Sequence, residues 1–143
     1  MPHAWDRRRI RPVRVLIADD HPLYAETLEL VFASDDRIEV VGNAEDGLQA
    51  VELARSLRPD VVLMDVHMPR VDGIEAARTL QAELPGVRVV MLSSSSAVED
   101  IERARDAGAC AYLTKDARGQ SIAEEVVYVS SAARPSLTGR RAA

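Results

Sequence analysis

Short apolar segments alternate along the chain with longer segments in which apolar residues recur at helical spacing. The short segments are rich in β-branched residues, as expected for strands. The predicted strands are Val13–Ala18, Ile38–Val41, Asp60–Met64, Val87–Leu92 and Ala109–Leu113. The predicted helices are Pro22–Ala33, Glu45–Leu57, Asp72–Leu84, Ser96–Ala107 and Ile122–Ala133. This strict alternation is typical of an α/β protein with a parallel sheet.

The strands are nearly continuous apolar runs rather than alternating ones, as in VRVLIA, DVVLM and VRVVML. Such runs indicate strands that helices cover on both faces. Connections through helices between parallel strands are right-handed, so the simplest topology is an open, doubly wound sheet of five parallel strands.

Two predicted helices carry a start signal. Asp72 precedes Glu75 by three residues, and Ser96 precedes Glu99 by three, so each pair predicts a capping box. Gly108 follows the fourth helix, where glycine commonly ends a helix.

The composition narrows the class of protein. The chain has 143 residues, the usual size of a single domain, with 47% hydrophobic and 29% charged residues. One cysteine, Cys110, cannot form an internal disulfide, and its apolar strand predicts a core position. No apolar run approaches a membrane span, and the N-terminus lacks the apolar stretch of a signal peptide. We therefore expect a cytoplasmic protein with no membrane partner.

The basic residues are unusual in type and in place. Of 18 basic residues, 17 are arginine and only Lys115 is lysine, so a site that needs a compact ammonium group is a candidate explanation. Residues 1–14 carry a net charge of +4 and residues 134–143 carry +3, which leaves −12 on residues 15–133. An acidic body with basic ends is unlike a DNA-binding domain, which usually has a basic patch.

Polar side chains follow four of the five predicted strands. In open α/β sheets, ligands bind at the carboxyl ends of the strands. The polar residues at those ends are Asp19 and Asp20, Asp65, Ser93, and Thr114 with Lys115. Three clustered carboxylates repel one another, and Mg²⁺, which prefers oxygen ligands, relieves that repulsion. A lysine and a hydroxyl opposite the metal suit the oxygens of a phosphoryl group, and a carboxylate can act as the nucleophile.

Four motifs in order, LIADDHP, DVVLMDVHMPRVDG, VVMLSS and GACAYLTKD, resemble the receiver domain of bacterial two-component response regulators. The resemblance covers about Val13 to Ala133. It implies a CheY-like, flavodoxin-like sheet with the strand order 2-1-3-4-5.

The resemblance assigns roles around a metal ion, Mg²⁺ or Mn²⁺. Asp65 resembles the aspartate that accepts the phosphoryl group and also binds the metal. Asp20 resembles the direct metal ligand, and Asp19 resembles its acidic partner, which acts through water. His67 follows the acceptor by two residues, where the family uses the backbone carbonyl as a ligand.

The resemblance also assigns the switch residues. Ser93 matches the hydroxyl residue that hydrogen-bonds the phosphoryl group, and Lys115 matches the lysine that pairs with it. Tyr112 matches the switch aromatic, although a partly buried strand aromatic would look the same in sequence. We expect His21 to be an ordinary loop residue and the His67 side chain to be exposed.

Asp116 after Lys115, together with the tail AARPSLT, resembles receivers of the LuxR/NarL/FixJ class, whose effector is a helix-turn-helix domain. The expected organisation is a basic arm over residues 1–12, a receiver over 13–133, and a linker over 134–143. That linker would lead to an effector domain that this sequence lacks. A receiver fragment is favoured over a natural single-domain protein, and both interpretations are open.

The resulting hypothesis is a signalling switch rather than a metabolic enzyme. A sensor histidine kinase would phosphorylate Asp65, and the switch would control a homodimer or an effector that binds DNA. Three alternatives are a flavin mononucleotide binder, a haloacid-dehalogenase-like phosphatase and a phosphorylation-independent receiver that acts by docking. Asp-Asp-His-Pro after the first strand argues against the flavin binder, and the absence of an Asp-x-Asp pair at Asp65 argues against the phosphatase.

Overall fold

The computed structural model describes residues 11–131, in which five strands alternate with five helices. The strands are β1 (Val13–Ala18), β2 (Ile38–Ala44), β3 (Val61–Asp65), β4 (Arg88–Ser93) and β5 (Ala111–Thr114). The helices are α1 (Pro22–Ala33), α2 (Gly47–Leu57), α3 (Gly73–Glu83), α4 (Val98–Asp106) and α5 (Gly119–Ser131). The predicted tail and most of the predicted basic arm lie outside the described residues, so those assignments stay predictions.

All strand pairs are parallel, and the strand order is β2-β1-β3-β4-β5, which confirms the predicted topology. Successive residues of a strand point to opposite faces, so each strand serves two cores. Leu16 and Met64 pack with α2, α3 and α4 on one face, whereas Ile17 and Leu63 pack with α1 and α5 on the other. This two-sided burial explains why the strands are continuous apolar runs.

Strand β2 extends beyond its predicted end at Val41 as far as Ala44. Its last residues pair with β1, with Ile17 opposite Asn43 and Ala18 opposite Ala44, after a register shift at Val15/Leu16. The extension depends on the neighbouring strand, so hydrophobicity along the chain does not reveal it.

The two predicted capping boxes have different outcomes. Asp72 caps α3 and accepts a hydrogen bond from the Glu75 backbone nitrogen at 2.9 Å. The prediction for Ser96 is wrong, because α4 begins at Val98 with Ala97 as its N-cap and without a side-chain cap. The Ser95 hydroxyl instead accepts a hydrogen bond from the Ala97 nitrogen. Gly108 follows α4 with a φ of +97°, a left-handed conformation that favours glycine.

Arg88, at the start of β4, donates hydrogen bonds to the carbonyl oxygens of Val129 and Ser130 in the last turn of α5. The guanidinium group thus ties this part of the helix to the sheet. Over residues 11–131, none of the helices has the length and apolar character needed to span a membrane.

Candidate functional site

The carboxyl ends of β1, β3, β4 and β5 bring the predicted polar residues to one edge of the sheet. The Lys115 ammonium lies 2.8 Å from Asp19 Oδ2 and 3.3 Å from Asp65 Oδ2. The side chains of Asp19 and Asp65 are 1% and 4% exposed, and that of Lys115 is 13% exposed. The single lysine of the chain therefore bridges two buried carboxylates that are 46 residues apart in sequence.

Asp65 is held in place by the backbone around it. It is the last residue of β3, and Val66 and the Leu92 carbonyl continue the pairing with β4 at 2.9 Å. Helix α3 begins against this strand end, since a Cβ atom added to Gly73 would overlap the carbonyl oxygen of Asp65. Gly47, at the start of α2, has the same relation to the Val71 carbonyl. The close approach at Gly73 fixes the strand end that carries Asp65.

The environment of Asp65 makes its carboxylate costly to ionise. Burial, followed by the charge of Asp19, raises the pKa of Asp65 to about 6, although Lys115 and the His67 backbone nitrogen oppose the shift. The His67 nitrogen donates to Asp65 Oδ1 at 3.3 Å. A divalent cation would favour the ionised form by adding positive charge beside the two carboxylates.

His21 lies within the carboxylate cluster, where the sequence predicted an ordinary loop residue. Its Nδ1 atom is 3.0 Å from Asp19 Oδ1, 3.2 Å from Asp20 Oδ1 and 3.7 Å from Asp65 Oδ2. Its backbone nitrogen also donates to Asp19 Oδ1 at 2.8 Å. The imidazole is 63% exposed, so it covers the solvent side of the cluster. Its position directly after Asp20 at a strand end was the signal for this role.

The donor set fits a divalent metal. Asp19, Asp20, His21 and Asp65 each offer a ligand atom, and these atoms lie within 4.8 Å of one another. Among the described residues, the buried Asp19 Oδ2 atom has the Lys115 ammonium beside it, and the buried Asp20 Oδ1 atom has only the His21 imidazole nearby, so a cation would add to few existing interactions. Carboxylate oxygens are the ligands that Mg²⁺ prefers. The role of the His67 carbonyl as a ligand stays a prediction.

Ser93 is fully buried at the end of β4, and its hydroxyl accepts a hydrogen bond from the Ser95 nitrogen at 3.0 Å. The backbone nitrogen of Lys115 donates to the Ser93 carbonyl at 2.8 Å, which joins the ends of β4 and β5. This backbone hydrogen bond therefore links the positions of Ser93 and Lys115, which lie at the same edge of the sheet.

Tyr112 points inward in this structure. The residue is 7% exposed, and its hydroxyl donates to the Ser95 carbonyl at 2.8 Å. Burial raises the pKa of Tyr112. The hydroxyl connects β5 to the loop after Ser93, so a movement of that loop changes the environment of the tyrosine. The His67 side chain is exposed, as expected, and lies 3.5 Å from Asp100 of α4.

A cavity of about 440 Å³ opens beside Lys115, and Leu23, Tyr24 and Ser94 contribute to its wall. The Lys115 ammonium lies 4.7 Å from the centroid of the Tyr24 ring. The sequence gives no signal for Tyr24, because nothing in the helical pattern of α1 shows which of its residues faces the end of β5.

Comparison with known proteins agrees with the fold and with the motifs. The family model described as the response regulator receiver domain matches residues 15–127. The transcriptional regulatory protein DegU of Brevibacillus brevis is 37% identical over 118 residues, which cover 82% of this chain and 50% of DegU. The chain thus spans about half the length of this curated relative.

Two solved structures show the same architecture. The receiver domain of the putative response regulator NarL from Mycobacterium tuberculosis has a TM-score of 0.81 and 32% identity, covering 90% of this chain and 98% of that one. A LuxR-family two-component response regulator from Aurantimonas sp. SI85-9A1 has a TM-score of 0.81 and 27% identity, covering 87% and 89%. The chain belongs to the response regulator receiver domain family, and its relatives include LuxR/NarL-type regulators of transcription.

Proposed function

We propose that this receiver is a signalling switch in which Asp65 accepts a phosphoryl group from a sensor histidine kinase. The observation that carries the proposal is the bridge from Lys115 to Asp65 and Asp19, at 3.3 Å and 2.8 Å, next to the buried Ser93. Phosphoryl transfer requires a nucleophile, a cation and a hydroxyl donor near one another, and the proximity of Asp65, Lys115 and Ser93 at this sheet edge supports those roles.

In the proposed reaction, an Asp65 carboxylate oxygen attacks phosphorus while the bond from phosphorus to the donor's imidazole nitrogen breaks. The departing imidazole keeps the electron pair of that bond and takes up a proton. Lys115 stabilises the negative charge on the transferred phosphoryl oxygens, and Ser93 donates a hydrogen bond to one of them.

Mg²⁺, or Mn²⁺, is the proposed cofactor, with Asp20 and Asp65 as direct ligands, Asp19 acting through water and the His67 carbonyl completing the protein ligands. When bound, the metal neutralises charge on the carboxylates and on the phosphoryl oxygens. The raised pKa of Asp65 supports this need, since its ionised form is the nucleophile.

The proposed output is a change at the surface formed by α4, β5 and α5. The phosphoryl group would draw Ser93 inward, and Tyr112 would follow the loop to which it is now hydrogen-bonded. The proposed target of this change is a homodimer or a DNA-binding effector domain, and the similarity to a transcriptional regulatory protein supports the second. The chain's own chemistry would then be limited to its phosphorylation and dephosphorylation.

Incubation with acetyl phosphate and Mg²⁺, followed by intact-mass measurement, tests the proposal. We expect one phosphoryl group on the wild type and none on Asp65→Asn. Asp106→Asn is the matched control, because Asp106 is an exposed carboxylate on α4 and its loss should leave the gain intact. A wild type that stays unmodified with acetyl phosphate, phosphoramidate and a phosphorylated histidine kinase would instead indicate a receiver that acts by docking alone.

A further inference from the structure

Tyr24 lies in the first turns of α1, and its ring faces the lysine of the site. The Lys115 ammonium is 4.7 Å from the ring centroid, within the range of a favourable cation–π interaction. The same nitrogen contacts Asp19 and Asp65. It also lies 3.3 Å from His21 Nδ1, so its neighbours are two carboxylates, an imidazole and one aromatic face.

The two carboxylates and the exposed His21 imidazole do not by themselves fix the lysine. Its side chain has four rotatable bonds and ends in a compact ammonium group without the fixed geometry of a guanidinium. The cavity of about 440 Å³ next to Lys115 offers space into which the ammonium can move. Tyr24 borders both the lysine and that cavity, so its ring stands where it limits this movement.

The hydroxyl of Tyr24 does not explain the position of the ring. Its oxygen is buried and makes no hydrogen bond with the residues that the structure describes. Burial and the charges of Asp19 and Asp65 raise the pKa of Tyr24 to about 12, so the phenol is neutral at physiological pH. The interaction between Tyr24 and Lys115 is therefore made by the ring face and not by the hydroxyl.

We propose that Tyr24 is a positioning residue whose ring face holds the Lys115 ammonium against Asp65 and Asp19. The inference rests on the proposed function for its effect on phosphorylation. Its structural part, the placement of Lys115, stands apart from that function and is measured separately.

The sole lysine of the chain makes the placement directly observable. Labelling with ¹³C,¹⁵N-lysine gives one lysine spin system in the NMR spectrum of the full chain, that of Lys115. We expect its ε-methylene and Nζ-proton resonances to lie upfield, because they are above an aromatic ring. Tyr24→Phe should keep this upfield shift, and Tyr24→Leu should abolish it. Tyr128→Leu, the same change at an exposed tyrosine of α5, is the control and should leave the resonances unchanged.

Phosphorylation by acetyl phosphate with Mg²⁺ is measured on the same variants. We expect Tyr24→Phe to react within about twofold of the wild type. Tyr24→Leu should react about tenfold more slowly, the equivalent of about 1.4 kcal/mol in the barrier. Far-ultraviolet circular dichroism and thermal unfolding confirm that each variant is folded before its rate is interpreted.

Three results would overturn the inference. Unchanged lysine resonances in Tyr24→Leu would show that the ring does not hold Lys115. A loss in Tyr24→Phe as large as in Tyr24→Leu would assign the effect to the hydroxyl. A lost upfield shift with an unchanged rate would show that the contact has no role in transfer. If the wild type itself is not phosphorylated, the proposed function fails, while the lysine resonances still decide whether Tyr24 positions Lys115.

Discussion

At the scale of single residues, the site combines groups that are unfavourable in isolation. Asp19 and Asp65 are buried carboxylates, and Lys115 is the cation that makes their burial tolerable. Burial of ionised groups costs several kcal/mol per ion before their attraction is counted. The buried carboxylates therefore lower the unfolding free energy of the domain at the edge of the sheet that carries the proposed site.

The raised pKa of Asp65 gives this loss a pH dependence. In the unfolded chain its pKa is 3.8, and in the folded domain it is about 6, so the folded state binds the proton more tightly. The unfolding free energy therefore falls as pH rises from about 4 to about 6, and the ionised carboxylate destabilises the domain above that range. We expect Asp65→Asn to be about 1–3 kcal/mol more stable than the wild type at pH 7 in metal-free buffer.

Urea unfolding of both proteins between pH 4 and pH 8 measures this difference. The advantage of Asp65→Asn should grow through pH 4–6 and then level off. Asp106→Asn, at an exposed position, controls for the removal of a negative charge. A constant difference across the whole range would contradict a raised pKa at Asp65.

At the scale of elements, the strands could be predicted from the sequence because each is buried on both faces. Continuous apolar runs mark them without knowledge of their partners, as in VVLMD of β3. The ends of elements were predicted less well. Strand β2 continues to Ala44 because β1 pairs with it, and that pairing joins residues 26 positions apart in sequence, such as Ala18 and Ala44.

The start of α4 shows a second limit of sequence patterns. Ser96 and Glu99 have the spacing of a capping box, yet the helix begins at Val98 and Ser95 forms the local hydrogen bond instead. The loop between Ser93 and α4 is also held by Tyr112, whose hydroxyl bonds the Ser95 carbonyl. The loop before this helix is therefore held by a contact from another strand, which the spacing of Ser96 and Glu99 does not reveal.

The difference between the two helix starts can be measured. Asp72→Ala removes a formed cap from α3 and should lower the unfolding free energy by about 1 kcal/mol. Ser96→Ala should change it by less than about 0.5 kcal/mol, because Ser96 is exposed and does not cap α4. Chemical denaturation of the two variants beside the wild type provides the comparison. Equal losses would mean that Ser96 caps the helix in solution.

The candidate site could be predicted in part. Asp19, Asp65 and Lys115 come together because parallel strands end at the same edge, and strand ends can be recognised in the sequence. Tyr24 could not be assigned, because its contact is with Lys115, more than 90 positions away across the sheet. His21 follows Asp20 directly, but its contact with Lys115 likewise depends on the packed sheet. The direction of a side chain in a loop or on a helix depends on that packing.

At the scale of the whole molecule, two cores fix one sheet, and the acidic cluster lies at its edge outside both. A metal ion can bind at this edge without entering either core. A metal ion that binds the folded domain and not the unfolded chain stabilises it by an amount that grows with the logarithm of the metal concentration above the Kd. The carboxylates that weaken the metal-free domain are the groups through which this stabilisation acts.

We therefore expect Mg²⁺ to raise the Tm of the wild type by several degrees at about a hundredfold excess over its Kd, which corresponds to about 2.7 kcal/mol. EDTA should reverse the increase, and Asp65→Asn should show little of it. Differential scanning calorimetry in sodium chloride of matched ionic strength separates metal binding from charge screening. An equal rise in sodium chloride would show that the cluster responds only to ionic strength.

The two helix starts that leave no room for a Cβ atom bear on how this sequence can vary. Gly73 lies against the Asp65 carbonyl and Gly47 lies against the Val71 carbonyl, and both obstacles are backbone atoms that no change of side chain can remove. Packing, and not a role in the chemistry, restricts substitution at these two positions. A substitution at either one must displace a helix, and at position 73 that displacement reaches the strand end that carries the acceptor. We therefore expect related sequences to vary on the surface of α3 but to keep glycine at position 73.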